Sequence, residues 1–93
     1  MFGLSEQVLS QIKEVIQKYD YKFVIFGSRA KGNFKDNSDI DIAVWGDIDF
    51  DEKVKIKDEL TSLNIPYFID VVFVNSLLKQ ELINSITNEG VEV

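Results

Sequence analysis

Apolar residues recur along the chain with two periods, one helical and one of two residues, and these periods predict its secondary structure. A first helix is expected to begin at Ser5, a favourable N-cap, and another at Asp49, which a glutamate follows three residues later as in a capping box. A last helix is expected to be capped by Asn75 or Ser76 and to stop at Gly90. The apolar stripes of these helices consist, in chain order, of Val8, Ile12, Val15, Ile16, Tyr19, Ile56, Leu60, Leu63, Leu78, Leu82 and Ile86.

Three apolar stretches, residues 23–26, 39–45 and 67–74, have the composition of β-strands. Side chains alternate between the two faces of a strand, so Asp39 and Asp41 share one face of the second stretch. The ending, residues 91–93, is either a short edge strand or a frayed end.

The resulting order is α-β-α-β-α-β-α, with a short second helix after the first strand. It predicts a single domain, residues 1–93, of the α/β (α+β) class, with a small mixed sheet of three to four strands. Helices are expected to cover one face of this sheet and to leave open the face that carries the two aspartates.

Composition narrows the chemistry of any site. The chain contains no cysteine and no histidine, which excludes disulfides, thiol nucleophiles, Cys/His zinc sites and imidazole bases. A metal ion would therefore be held by oxygen, and oxygen ligands suit Mg²⁺ or Mn²⁺. No apolar stretch approaches the roughly 18 residues of a membrane span, so a cytoplasmic protein without membrane contact is expected.

The charge of the chain is negative overall but unevenly placed. A net charge of −6 argues against stable nucleic-acid binding, which requires a basic face. Residues 22–35 carry basic side chains and no acid, whereas residues 36–52 carry acids and no base. A basic loop beside an acidic strand could hold phosphates together with the cation that bridges them.

Three aspartates are the candidate metal ligands. An Asp-x-Asp pair most often lies in a solvated turn, but Asp39 and Asp41 lie in a predicted strand. Neighbouring carboxylates on a strand repel each other unless a cation lies between them. Asp70 stands at the centre of the third apolar stretch, either as an acid on a half-solvated face or as a third ligand.

The pair Gly27-Ser28 follows the first strand. Such a pair is usually only a turn and a helix cap. In a functional interpretation, Gly27 lets a phosphate approach the backbone closely, and Ser28 offers its hydroxyl and N–H at the start of a helix. Neither a Walker loop nor a G-x-G-x-x-G pattern is present.

Together, Gly27-Ser28-Arg29-Ala30-Lys31-Gly32 and Ser38-Asp39-Ile40-Asp41-Ile42-Ala43-Val44 resemble the nucleotidyltransferase superfamily that includes DNA polymerase β. The resemblance is closer to its MNT family, the minimal nucleotidyltransferases of bacteria and archaea. It extends over essentially the whole chain, with Lys31 at a position where members often carry arginine. It implies the polymerase β palm-like fold of the nucleotidyltransferases.

The same resemblance implies the roles of the candidate site residues. Asp39 and Asp41 would bind a pair of Mg²⁺ ions, and Asp70 would ligate the catalytic ion and help to activate the attacking hydroxyl. Attack on the α-phosphate of a nucleoside triphosphate, ATP in the expected case, would release pyrophosphate.

For the phosphates, the resemblance implies that Gly27 and Ser28 hold the β- and γ-phosphates. Arg29 and Lys31 either neutralise phosphate charge or are solvated helix residues.

The usual partner of the MNT family is a HEPN protein, an all-helical RNase toxin, and its members act as antitoxins. Some are thought to transfer AMP from ATP to a tyrosine of the toxin, which is the function expected for this chain. The alternative is an antitoxin that neutralises its partner by contact alone. A sugar-nucleotide transferase with an Asp-x-Asp motif is disfavoured, because the chain is too short for such a domain and an acceptor site. A thin core and apolar strands also favour association, either with a partner or with a second copy as a homo-oligomer.

Overall fold

The structure, a computed structural model, describes residues 1–93 and contains four α-helices and four strands. In chain order these are α1 (Glu6–Ile16), β1 (Lys22–Phe26), α2 (Ser28–Lys31), β2 (Ile40–Trp45), α3 (Phe50–Thr61), β3 (Ile69–Phe73), α4 (Gln80–Glu89) and β4 (Val91–Glu92), with a 3₁₀ turn at Val74–Ser76. The longest helix, α3, has 12 residues, and none of the helices has the length and apolar character that crossing a membrane requires.

The four strands form one sheet in the order β3-β2-β1-β4, which confirms the predicted fold class. Strand β1 runs antiparallel to β2 and β4, whereas β2 and β3 are parallel, with α3 as the crossover between them. Of the two alternatives for the ending of the chain, the edge strand is correct, because Val91 pairs with Ile25 and Glu92 with Val24. Strand β3 is shorter than predicted at both ends.

Helices α1 and α3 cover one face of the sheet and enclose the larger of two cores. Ser5 caps α1 by accepting a hydrogen bond from the Val8 N–H at 3.2 Å, and Asp49 caps α3 by accepting one from Glu52 at 2.8 Å, as predicted. Helix α1 ends at Ile16, so Tyr19 reaches the core from the turn that follows. The core consists of Leu4, Val8, Ile12, Val15, Ile16, Phe23, Ile25, Ile40, Ile42, Val44, Ile48, Ile56, Leu60, Ile69 and Val71.

Helix α4 packs on the opposite face, so the prediction that the helices cover one face only is wrong. The smaller core beneath α4 consists of Val24, Phe26, Ala43, Val74 and Ile86. The strand residues of this set alternate with those of the larger core, and water would reach their apolar surface if no helix covered it. The end of this face that carries the three aspartates keeps two exposed side chains and one half-buried side chain.

The start of α4 also differs from the prediction, which placed its cap at Asn75 or Ser76. Both side chains have other partners: Asn75 accepts a hydrogen bond from the Gly46 N–H at 3.3 Å, and Ser76 accepts one from the Lys53 ammonium at 2.6 Å. The chain turns through the 3₁₀ segment, and α4 begins only after Lys79, which provides no side-chain cap. Leu78 therefore lies outside the helix and is 98% exposed.

Candidate active site

The candidate residues meet at one edge of the sheet, where β1 ends and β2 and β3 begin. This follows from strand direction, because β1 is antiparallel to β2 and β2 is parallel to β3. Gly27 follows the last residue of β1, Asp41 lies near the start of β2, and Asp70 lies near the start of β3. The fold thus brings together residues from three separate parts of the sequence.

Asp41 is the centre of this arrangement. It is paired across the sheet with Phe26 of β1 on one side and with Asp70 of β3 on the other. Burial raises the pKa of the Asp41 carboxyl, and the negative charges of Asp70 and Asp39 raise this pKa further. Neither ion pair of the chain involves any of the three aspartates, so their mutual repulsion has no side-chain cation to offset it.

Gly27 brings the backbone of the loop against Asp41. Its φ of +74° lies in the region that side-chain-bearing residues rarely adopt, and a Cβ at this position would overlap the Asp41 carboxylate. Ser28 then starts α2, whose first turn is closed by the hydrogen bond from the Lys31 N–H to the Gly27 carbonyl at 3.1 Å. The loop and Asp41 are therefore in direct contact at Gly27.

Asp39 lies immediately before β2, with its side chain exposed. The Ile40 N–H donates a hydrogen bond to the Phe68 carbonyl at 2.9 Å as part of the Ile40–Ile69 pairing, so continuation of the register sets the Phe68 backbone level with Asp39. Because Ile69 points into the larger core, Phe68 and Asp70 point to the opposite, open side. Phe68 is 82% exposed. Alternation along an extended chain gives Phe68 and Asp70 this shared side.

Arg29 is not available to a phosphate, which corrects one of its two predicted roles. Arg29 is only 2% exposed. Its guanidinium donates hydrogen bonds to the carbonyls of Ser38 at 2.9 and 3.0 Å, of Phe2 at 2.9 Å and of Asp36 at 3.3 Å. It also lies over the rings of Phe34 and Tyr67. The other alternative, a solvated helix residue, is wrong as well. Arg29 is buried, and its hydrogen bonds hold the backbone that leads into Asp39.

Lys31 lies on the exposed side of α2 and forms an ion pair with Glu89 of α4 at 3.1 Å. This contact joins α2 to the last residue of α4. Sequence reasoning missed Glu89, because the two residues are far apart in the chain and only the packing of α4 on this face brings them together. Lys31 remains the one candidate basic residue of α2 whose ammonium is exposed near the loop.

The donor set of the site fits a hard divalent cation. Asp39, Asp41 and Asp70 supply carboxylate oxygens only, which are the ligands that Mg²⁺ and Mn²⁺ prefer. The side chains do not already form a closed cluster of three metal ligands, so ion binding would require them to turn toward one another. Burial, and after it the charges of Asp70 and Asp39, raise the pKa of Asp41, and a bound cation would relieve the repulsion between these carboxylates.

A mixed sheet that sets a Gly-Ser loop against strand-borne aspartates defines a nucleotidyltransferase domain. Comparison with known families agrees, because the family model described as Polymerase beta, Nucleotidyltransferase matches residues 10–93. The chain belongs to this family. The resemblance that the sequence motifs suggested is thereby confirmed.

Two relatives carry the name of protein adenylyltransferase. The one from Methanocaldococcus jannaschii is 38% identical over 60 residues, which is 64% of this chain and 54% of the relative. MntA of Haemophilus influenzae is 29% identical over 73 residues, which is 74% of this chain and 64% of the relative. The chain thus spans somewhat over half the length of these relatives.

Solved structures share the fold. A toxin–antitoxin structure with AMP-PNP superposes with a TM-score of 0.69 at 24% identity, covering 89% of this chain and 69% of that one. A mutant MntA–HpeT toxin–antitoxin structure gives a TM-score of 0.62 at 22% identity and covers 96% and 71% of the two chains. A nucleotidyltransferase structure from Sulfolobus solfataricus gives 0.54 at 20% identity and covers 92% and 76%.

Proposed function

We propose that this chain transfers AMP from ATP to a hydroxyl group of a partner protein. The observation that carries the proposal is the position of Asp41, which lies against the Gly27 backbone on one side and is paired with Asp70 on the other. A loop that can bind phosphates and neighbouring carboxylates that can hold divalent cations are among the parts that transfer from a nucleoside triphosphate uses.

In this proposal Gly27 and Ser28 bind the β- and γ-phosphates. The absence of a side chain at Gly27 lets the Asp41 carboxylate lie against the loop, and Ser28 supplies a hydroxyl donor at the start of α2. Lys31, exposed on the same short helix, would contribute positive charge if it left its ion pair with Glu89. Arg29 would act indirectly, by holding the Ser38 carbonyl and with it the start of β2.

The three aspartates would hold Mg²⁺, or Mn²⁺ in its place. When bound, two such ions neutralise phosphate charge and stabilise the attacking and leaving oxygens of an in-line displacement. The acceptor oxygen forms a bond to the α-phosphorus, the bond to the β-phosphate oxygen breaks, and pyrophosphate leaves. Asp70, exposed beside Asp41, would orient the acceptor hydroxyl and accept its proton.

The acceptor we propose is a tyrosine of a toxin partner of the HEPN class, with this chain as the antitoxin. Two relatives are named protein adenylyltransferases, and two structural neighbours are described as toxin–antitoxin structures, one of them with AMP-PNP. Because this chain spans only part of those relatives, their partner and activity support the proposal without being observed in this chain.

A second candidate is an antitoxin that neutralises the toxin by contact alone. The exposed ring of Phe68 favours it, since a large apolar side chain beside the site could dock a partner without any chemistry. The two candidates differ in whether Asp39 and Asp41 are needed for neutralisation.

The test combines the chain with the product of the adjacent gene, ATP and Mg²⁺, and then measures the mass of that product by mass spectrometry. We expect a mass gain of one or more AMP units with the wild type and none with Asp41→Asn. Asp47→Asn, an exposed aspartate after β2, is the matched control and should transfer AMP normally. Absence of any mass gain, with full neutralisation by Asp39→Asn/Asp41→Asn, would favour the contact-only antitoxin.

A further inference from the structure

Phe68 is a large aromatic side chain in the open beside two of the proposed catalytic carboxylates. It is 82% exposed, while the next residue, Ile69, is buried in the larger core. Its carbonyl accepts the hydrogen bond from the Ile40 N–H, so its backbone is anchored at the end of the β2–β3 pairing, one residue before Ile69 and two before Asp70.

We propose that Phe68 contacts the aromatic ring of the acceptor and thereby sets a preference for a phenolic hydroxyl over an aliphatic one. The inference rests on the proposed function and names the residue that recognises the acceptor at the same site. Phe68 would act through binding of the acceptor side chain, while the bond making and breaking remain those of the transfer described above.

Strand order decides on which side of the site the acceptor approaches. In the sheet order β3-β2-β1-β4, the Gly27-Ser28 loop lies at the β1 side, and Asp70 and Phe68 lie at the β3 side. An in-line displacement places the attacking oxygen opposite the leaving pyrophosphate. With the β- and γ-phosphates at the β1 side, the attacking hydroxyl enters from the β3 side, where Phe68 is exposed.

The chemistry of the ring favours an aromatic acceptor. A phenol can pack edge-to-face or offset against Phe68 while its hydroxyl reaches the neighbouring carboxylates, whereas a serine side chain is too short to use the ring. The surrounding charge adds a second preference, because the net charge of −6 favours an acceptor segment with basic residues.

The experiment compares two synthetic peptides, acetyl-Lys-Lys-Tyr-Lys-Lys-amide and its serine counterpart, as acceptors with ATP and Mg²⁺. Phe68→Ala should raise the KM for the tyrosine peptide about tenfold, the loss of one aromatic contact, and change the KM for ATP less than about twofold. Phe68→Tyr, which keeps an aromatic ring, should have the wild-type KM for the tyrosine peptide. The serine peptide should respond little to either variant.

Phe50→Ala is the matched control, because Phe50 is 77% exposed but lies at the start of α3 and not at the site edge. It should behave as the wild type in every assay. The proposal is overturned if Phe68→Ala affects both peptides equally or behaves like Phe50→Ala. It is also overturned if Phe68→Ala loses affinity for ATP alone. The last outcome would instead identify Phe68 as a contact of the adenine base.

Binding of the labelled tyrosine peptide, measured by fluorescence anisotropy with AMP-PNP and Mg²⁺, separates the inference from the proposed catalysis. If the wild type binds the peptide but transfers no AMP, and Phe68→Ala weakens binding about tenfold, the proposed catalysis fails and the contact stands. If Phe68→Ala binds the peptide as the wild type does, or the wild type binds the serine peptide equally well, the contact is refuted even when transfer is observed.

Discussion

Asp41 and Asp70 occupy directly paired positions on two parallel strands, and no basic side chain of the protein forms an ion pair with either of them. Two carboxylates on the same face of neighbouring strands repel each other, and the raised pKa of Asp41 reflects that repulsion together with burial. This repulsion lowers the stability of the metal-free protein at this edge of the sheet.

Replacing Asp41 should make the metal-free protein more stable. Asp41→Asn removes one of the repelling charges, so its melting temperature at pH 7 should exceed that of the wild type, measured by circular dichroism in EDTA. Millimolar Mg²⁺ with ATP should raise the melting temperature of the wild type by mass action and leave that of Asp41→Asn unchanged. Asp47→Asn should melt and respond to Mg²⁺ as the wild type does. A wild type that ignores Mg²⁺ and ATP would contradict the metal site.

The pH dependence of this difference has a definite sign. A carboxyl whose pKa is raised in the folded state binds its proton more tightly there than in the unfolded chain. The contribution of Asp41 to stability therefore falls as pH rises from the ordinary value of 3.8 through the raised folded-state pKa. In urea unfolding, the advantage of Asp41→Asn should vanish at low pH and be complete above this interval. An advantage that is the same at all pH values would contradict the electrostatic cause.

Gly27 and Gly32 form a natural matched pair, because both have positive φ, +74° and +87°. A Cβ at Gly32 would meet nothing within 4 Å, whereas a Cβ at Gly27 would overlap the Asp41 carboxylate. Gly32→Ala should cost the backbone strain alone, about 1–2 kcal/mol in the free energy of unfolding. Gly27→Ala should cost more and also abolish ATP binding, measured by isothermal titration calorimetry. Equal losses for the two variants would refute the close approach of loop and carboxylate.

Arg29 and Lys31 lie two residues apart but should differ sharply in their contributions. Arg29→Lys keeps the charge but loses the forked contact with the Ser38 carbonyl and the packing on two rings, so we expect a loss of about 2–4 kcal/mol in urea unfolding. Lys31→Ala removes an exposed ion pair and should cost at most about 1 kcal/mol. A loss of unfolding free energy well below this range for Arg29→Lys would mean that the hydrogen bonds of Arg29 to the backbone are not needed for stability.

The corrected path into α4 can be tested with two apolar residues that the sequence assigned to the same helical stripe. Ile86 is 1% exposed in the smaller core, and truncation to alanine should cost about 2–5 kcal/mol of unfolding free energy. Leu78 is 98% exposed, and Leu78→Ala should change stability by less than about 0.5 kcal/mol. Comparable losses of unfolding free energy at the two positions would contradict the exposed position of Leu78 and favour the longer helix that the sequence predicted.

Periodicity and caps predicted most of the elements because they are local properties. The caps Ser5 and Asp49 act on residues three positions away, and the shared face of Asp39 and Asp41 follows from strand geometry alone. The motif singled out Gly27 and Asp41 as site residues, but the contact between them became visible only in the fold.

What the sequence could not predict depends on contacts between distant segments. The apolar stripe of α4 is visible in the sequence, but the face of the sheet that it covers depends on where the 3₁₀ turn directs the chain. The burial of Arg29 depends on carbonyls of residues 2, 36 and 38, and no local pattern shows that they converge. Asn75 was a plausible cap by type, but the Gly46 N–H competed for its side chain.

The α3 crossover has a kinetic consequence for the protein. Residues 41 and 70 become neighbours only when the parallel pair β2–β3 closes across the 28 residues between them, which is a non-local contact. Mg²⁺ and ATP would thus bind only to molecules in which this pair has closed. A ligand that holds those strands together should slow unfolding by opposing their separation, so nucleotide supply could govern how long each molecule survives proteolysis.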